Sequence, residues 1–402
     1  MKPLRKIAVL CGDGMGDDPV PALAGRTPLA VANIPNMRRV AAWGNLRLIQ
    51  TVPDGLAPGS DVANMGLLGY DARANYTGRA AIECAGAGIP LRPGDVAYRT
   101  NLVTIRDGLM ADYSAGDITT AEGRALIADL DRAAARDGLS FHGGVSYRHL
   151  LVWHGGPDAL VFNPPHEISG RPVAPNLPSG PRANEMIALM DLSRRVFDGH
   201  PVNASRIARG LSPATQIWPW GAGAAMLLEP YAARYGRRGA VVTAVDLVRG
   251  LAALAGLDAP RLPGATGWID TDYSAKGQAA IDALTRSDFA YVHVEAPDEC
   301  GHKGLPQEKI AAIERIDADI VAPVWQALEA MGTPYRLVVC TDHRTPVAKR
   351  GHTADPVPFA WIDGPIAPET RVLPETAPFD ETAPASSTPL PLACDLMDSL
   401  LR

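Results

Sequence analysis

Short apolar runs that end in polar or glycine-rich turns recur along the chain, at Ile7–Cys11, Leu46–Thr51, Ala240–Thr243, Ala290–Glu295, Leu337–Thr341 and Val357–Ile362. Their apolar positions are consecutive rather than alternating. That pattern suits strands buried on both faces, as in a parallel or mixed sheet covered by helices. Between the runs the spacing turns helical. Pro306–Met331 places Ile310, Ile313, Ile316, Ile320 and Val324 three to four residues apart, which lines one helix face. Thr120–Arg136 and Ala244–Ala255 read the same way. Strands alternating with helices predict an α/β fold, with a mostly parallel central sheet and helices on both faces.

The middle of the chain breaks the pattern. Pro157–Pro181 is rich in Pro, Gly and Asn, a loop or domain-crossing composition, and Thr119–Trp153 before it reads as a small helix-plus-strand unit. At roughly 100–200 residues per domain, two domains are expected: a core of residues 1–106 and 191–402, and an inserted α+β cap of residues 107–190. Pro365–Pro391 has few buriable residues and reads as an irregular surface stretch.

Composition narrows the partners. Hydrophobic residues make up 47% and charged residues 20% of 402, as in ordinary globular proteins. A net charge of −6 lacks the basic face that a nucleic-acid backbone requires. No apolar run approaches the ~20 residues that span a bilayer, and Met1–Arg5 leads into a strand-like run without a signal-peptide apolar region. The expectation is a cytoplasmic protein with no nucleic-acid or membrane partner. The five cysteines, Cys11, Cys84, Cys300, Cys340 and Cys394, include no C-x-x-C pair, which argues against a disulfide framework or a zinc–thiolate cluster.

Four constellations carry candidate chemistry, three of them after predicted strands, where α/β folds collect their sites. Asp13 lies among glycines after the first run and offers a hard oxygen ligand. Asp298 and His302, four residues apart, share a face if a helical turn follows. Asp342-His343 ends another strand, with His352 nine residues later. Carboxylate plus imidazole suits Mn²⁺ or Zn²⁺ better than Ca²⁺. Ser60, preceded by Gly59 and followed by a helix-like stretch, would meet a helix N-terminus, which favours an anion such as phosphate. Each feature alone is also what a turn, a helix cap or a satisfied histidine produces.

In this order, the four sets resemble the alkaline phosphatase superfamily, and within it the archaeal-type branch of the cofactor-independent phosphoglycerate mutases. The resemblance extends through Thr51–Gly55, Gly66–Asp71 (GLLGYD), Tyr76–Arg79, Gly143–His149 (GGVSYRH), Ile217–Gly223 (IWPWGAG), Pro263–Thr271, Tyr291–Asp298 (YVHVEAPD) and Asp355–Phe359. It implies two divalent ions, Mn²⁺ foremost, with Zn²⁺, Co²⁺ and Mg²⁺ as the other candidates. One would be held by Asp298, His302 and His352, the other by Asp13, Ser60, Asp342 and His343. It further implies that Ser60 takes the phosphoryl group from 3-phosphoglycerate and returns it to the 2-hydroxyl. Arg79, Arg99, Arg148 and Lys276 would bind the anionic substrate, and His149 would serve as acid or base in the cap. One departure stands out: the family serine motif often carries His where this chain has Asn64. The motifs also fit a homoserine kinase-like phosphotransferase or a phosphomonoesterase, although no G-x-x-x-x-G-K-[ST] loop is present. A non-catalytic binding protein fits less well, because all seven positions hold competent residues.

Overall fold

The computed structural model describes residues 5–367, 377–385 and 389–402. In chain order the strands are β1 (Lys6–Gly12), β2 (Asn45–Ile49), β3 (Asp95–Arg106), β4 (Leu109–Asp112), β5 (Leu139–Val145), β6 (Arg148–His154), β7 (Gln216–Ala224), β8 (Gly239–Val242), β9 (Phe289–Val294), β10 (Tyr335–Thr341) and β11 (Val357–Gly364). They form two sheets, and the chain divides into two compact units, Met1–Tyr76 with Leu227–Arg402, and Thr77–Met226.

The first unit holds six strands in the order β2-β11-β10-β1-β9-β8. β8, β9, β1 and β10 run parallel, and β11 and β2 extend the sheet in antiparallel fashion. Ala8, Leu10, Ala290, Val292, Leu337 and Val339 pack with Met37, Val40, Leu284 and Ile313 into one core. The intervening Ile7, Val9, Tyr291 and Val338 are equally buried. Both faces of the sheet are therefore covered, which is why its strands read as continuous apolar runs. The expected helix Pro306–Met331 is continuous but contains a π turn at Asp317–Val321. At the start of that turn, the Asp317 carboxylate accepts from the amides of Asn36 and Met37 and so caps the helix Pro35–Trp43.

The second unit is built on a five-stranded antiparallel sheet, β4-β3-β6-β5, with β7 on the other side of β3. Its limits differ from the expected 107–190. The long strand β3 begins before 107 and β7 follows 190, yet β3 pairs with both β6 and β7, at Asn101↔Arg148 and Thr100↔Pro219. Boundaries at 107 and 190 would cut through this sheet. Pro219, Gly221 and Gly223 hide β7 in the sequence, because they are the residues that usually mark turns.

Within Pro365–Pro391, residues 368–376 and 386–388 lie outside the described residues. Of the remainder, Phe379 and Ala383 are buried, and Glu381 accepts from Thr27 Oγ1 and the Asp17 amide, so this part is anchored rather than merely superficial. All five cysteines are free and buried. Among the described residues no helix is long and apolar enough to cross a membrane.

Candidate functional site

The carboxyl ends of β1, β9 and β10 fix the site. Gly12 pairs with Val294 on one side and Thr341 on the other, so the residues that follow each strand emerge together. The Asp13 amide donates to Val294 O at 2.9 Å. Gly14 has φ +59°, and a Cβ there would come 2.8 Å from Asp298 Cα, so this crossing admits only glycine comfortably. The amides of Gly14 and His343 both donate to Asp342 Oδ1, at 2.9 and 2.8 Å. Asp298 and His302 stand one turn apart on the helix Ala296–Lys303. Ser60 opens the helix Ser60–Leu67, whose N-cap is Gly59.

The seven residues form two adjoining groups. His302 Nε2 and His352 Nε2 lie 2.9 Å apart, and each is 3.3 Å from an oxygen of Asp298. His343 Nε2 lies 3.3 Å from Asp13 Oδ1, 3.6 Å from Asp342 Oδ2 and 3.1 Å from Ser60 Oγ. Ser60 Oγ is 3.4 Å from Asp13 Oδ2. The rings of His343 and His352 are 4.2 Å apart and link the groups. Two donor sets are compact enough to share an ion: Asp298, His343 and His352, and Asp13, His293 and Asp342. His293 escaped the sequence reading. Its signal was a single imidazole inside the apolar run Ala290–Glu295.

The electrostatics call for cations. Asp13, Asp298 and Asp342 are all buried within a few ångströms of these imidazoles. Burial pushes Asp13 well above the usual carboxylate range, and the charges of Asp342 and Asp298 push it further. Asp13 Oδ1 and His293 Nε2 are buried without a hydrogen-bond partner among the described residues. Such groups are costly unless something compensates them, and oxygen with imidazole nitrogen is the donor set of a first-row divalent ion. In the absence of a cation, a proton on His302 balances Asp298. Its hydrogen bond to Asp298 raises His302 to about 9 against the opposite pull of burial. Burial would raise Asp298, but His302 and His352 outweigh it and hold the carboxyl low.

Three neighbours brace the site. Asn64 Nδ2 donates to Asp342 Oδ2 and to Ser60 O, both at 2.8 Å. Thr345 Oγ1 donates to Asp298 Oδ1 at 2.5 Å. Lys276 is fully buried, with Nζ donating to His293 O at 3.2 Å. Burial brings Lys276 down to about 8, opposed by Glu295 and Asp13. Lys276, expected among the substrate-binding residues, is thus a buried charge behind the site with its ammonium on the backbone of β9.

In the second unit, Arg79 and Arg99 share Glu83, at 3.0 and 3.1 Å. Arg99 stacks on Trp220 at 3.9 Å, with the ring of His166 against the same indole. Burial lowers the Arg99 guanidinium, and the charges of Arg79 and Arg148 act in the same direction, so the three arginines converge. His149 does not fit the expected acid–base role. It is 97% shielded in β6, its Nδ1 accepts from the Gly144 amide at 3.0 Å, and burial holds it down at about 4. It is a neutral brace of the β5–β6 hairpin.

A carboxylate–imidazole cluster at the carboxyl ends of parallel strands, on a two-faced α/β core, is the arrangement that the sequence resemblance to the alkaline phosphatase superfamily leads one to expect. The sequence profile of 2,3-bisphosphoglycerate-independent phosphoglycerate mutase matches residues 41–203. The chain is 46% identical over 363 residues to the probable enzyme of that name from Geobacter sulfurreducens, covering 89% of this chain and 91% of the relative. It is 47% identical over 355 residues to the Methanothrix thermoacetophila mutase, covering 88% and 90%. Among solved structures, a Pyrococcus horikoshii protein superposes with a TM-score of 0.76 at 26% identity over 90% of this chain and 88% of that one. The cofactor-independent phosphoglycerate mutase of Thermoplasma acidophilum gives 0.66 at 27% identity over 99% of both. The chain belongs to the 2,3-bisphosphoglycerate-independent phosphoglycerate mutase family.

Proposed function

We propose that this chain interconverts 3-phosphoglycerate and 2-phosphoglycerate, with Ser60 holding the phosphoryl group between the two transfers. Family membership supports the reaction. The observation that carries the mechanism is the position of Ser60 Oγ, 3.1 Å from His343 Nε2 and 3.4 Å from Asp13 Oδ2 at the start of a helix. Ser60 Oγ attacks phosphorus as the bond to the 3-oxygen of glycerate breaks. The 2-hydroxyl then attacks, and the bond to Ser60 Oγ breaks in turn. Because the serine keeps the phosphate, no free bisphosphoglycerate enters.

A serine hydroxyl is a poor nucleophile at neutral pH. Divalent ions held by Asp298, His302 and His352, and by Asp13, Ser60, Asp342 and His343, would favour its alkoxide and offset the phosphoryl charge; Mn²⁺ suits these donors. Asp342 is oriented for this by two backbone amides and Asn64. Arg79, Arg99 and Arg148 bind the carboxylate and phosphate of the substrate through charge-assisted hydrogen bonds. The names carried by the relatives favour the mutase over a homoserine kinase-like enzyme. The test is direct: protein with Mn²⁺ and 3-phosphoglycerate, no 2,3-bisphosphoglycerate, coupled to enolase. Turnover is expected. No isomerisation, alongside ATP-dependent phosphorylation of homoserine, would transfer the assignment to the kinase.

A further inference from the structure

His293 lies in β9 with none of its surface exposed. Its Nδ1 faces Thr243 Oγ1 at 3.4 Å, and its own carbonyl is held by Lys276. Its Nε2 points at the carboxylates, 3.1 Å from Asp13 Oδ2 and 3.9 Å from Asp342 Oδ2. At 3.1 Å a hydrogen bond to Asp13 would be expected, yet Nε2 has no hydrogen-bond partner among the described residues. Asp13 Oδ1, on the same carboxylate, likewise has no hydrogen-bond partner among the described residues.

Those separations have another explanation. Bonds of about 2.1 Å to a common ion put ligand atoms about 3.0 Å apart when they meet at a right angle and about 4.2 Å apart when opposed. One atom each from Asp13, His293 and Asp342 lies within 4.8 Å of the other two, and the two measured distances fall inside the interval. Burying an imidazole nitrogen beside two carboxylates without pairing it is unfavourable, and an ion at their common focus gives Nε2 a partner. The Nδ1 contact with Thr243 supplies the outer partner that fixes a ligating ring.

We infer that His293 is a direct ligand, through Nε2, of the divalent ion held by Asp13 and Asp342. The inference rests on the proposed metal-dependent reading of the site. With His343 it gives that ion a second imidazole, and the donor set moves away from Mg²⁺ toward Mn²⁺, Co²⁺ or Zn²⁺. No water-filled position need then face β9, because the strand itself closes that side.

Two measurements on the full chain decide it. Metal-stripped protein is titrated with Co²⁺ by calorimetry and d–d absorption, for the wild type and for His293→Asn. The variant is expected to lose about 100-fold or more of the affinity of one site, beyond the 10–100-fold typical of an outer partner, with a changed spectrum. Crystals of the wild type soaked in Co²⁺ provide the second reading, independent of how the variant folds. An anomalous peak within about 2.3 Å of His293 Nε2 is expected. An ion on Asp13 and Asp342 with His293 Nε2 hydrogen-bonded to Asp13 instead, or an unchanged titration in His293→Asn, overturns the assignment of His293. A wild type that binds no Co²⁺ at either donor set overturns the metal reading itself.

Discussion

Asn64 stands between Tyr291 and Asp342: its Oδ1 accepts from Tyr291 Oη at 2.5 Å, and its Nδ2 donates to Asp342 Oδ2 at 2.8 Å. All three side chains are buried, so the amide has no water to replace either contact. Asn64→Leu keeps the branched heavy-atom shape and strands both partners. The expected cost is about 1–3 kcal/mol of stability, together with a 10- to 100-fold fall in metal affinity at the Asp342 site, roughly what loss of an outer partner produces. Urea unfolding of stripped protein and Mn²⁺ calorimetry measure the two separately. Unchanged metal binding would mean that Asp342 is oriented by the Gly14 and His343 amides alone.

Ser60→Ala is expected to fold, because Gly59 rather than Ser60 occupies the helix N-cap and no side-chain cap is lost, and still to bind Mn²⁺ through the remaining carboxylate and imidazole ligands. Turnover should disappear, along with any phosphoenzyme trapped by acid quench. A phosphoryl group recovered on another residue would show that the nucleophile had been misassigned.

The pH dependence of the metal-free protein should run opposite to that of metal binding. His302 is raised from about 6.5 to about 9, first by its hydrogen bond to Asp298. A raised folded-state value contributes stability that is fully present below about pH 6.5 and is lost as pH climbs through about 9. A metal must displace that proton, so its affinity grows across the same interval. Thermal unfolding in EDTA should therefore weaken between pH 6.5 and 9 while the Mn²⁺-induced rise in Tm increases. His302→Gln should flatten the first trend. A Mn²⁺-induced shift independent of pH would contradict this coupling.

Arg148→Ala separates grip on the glycerate from phosphoryl chemistry. A charge-assisted contact is worth about 1.5–3 kcal/mol, which corresponds to roughly a 10- to 150-fold loss in kcat/KM for 3-phosphoglycerate. Hydrolysis of a small generic phosphate ester, which needs Ser60 and the metal ligands only, should fall far less. Equal losses in both assays would remove Arg148 from substrate binding.

The strands that build the candidate site were readable because burial on both faces leaves unbroken apolar runs, and Asp13, Asp298 and Asp342 each follow one of them closely. The seven residues expected to surround the metals all lie at that edge. What escaped notice had the opposite character. His293 lies inside a strand, where an apolar run invites the reader to pass over one imidazole. β7 is punctuated by Pro219 and two glycines, and with it went the true limits of the second unit. His149 and Lys276 carry the right chemistry for their expected roles. Sequence spacing does not reveal that one accepts from a hairpin amide and the other is sealed behind β9.

The order of strands in the first sheet also bears on how the chain reaches its structure. Ile7 pairs with Phe289 on one side and Arg336 on the other, so β1 has no strand partner until β9 has been made and no second one until β10 follows. The residues Thr77–Met226, by contrast, form one compact unit from a single continuous segment. During synthesis that segment can complete its own sheet while β1 is still waiting with its apolar side chains uncovered. Sequence-distant pairing of this kind slows folding and prolongs exposure of aggregation-prone strands. The centre formed by Asp13, Asp298 and Asp342 is thus among the last parts of the molecule to come into being, and a chain that stops before β10 has Ser60 and Asp13 but lacks Asp342, His343 and His352.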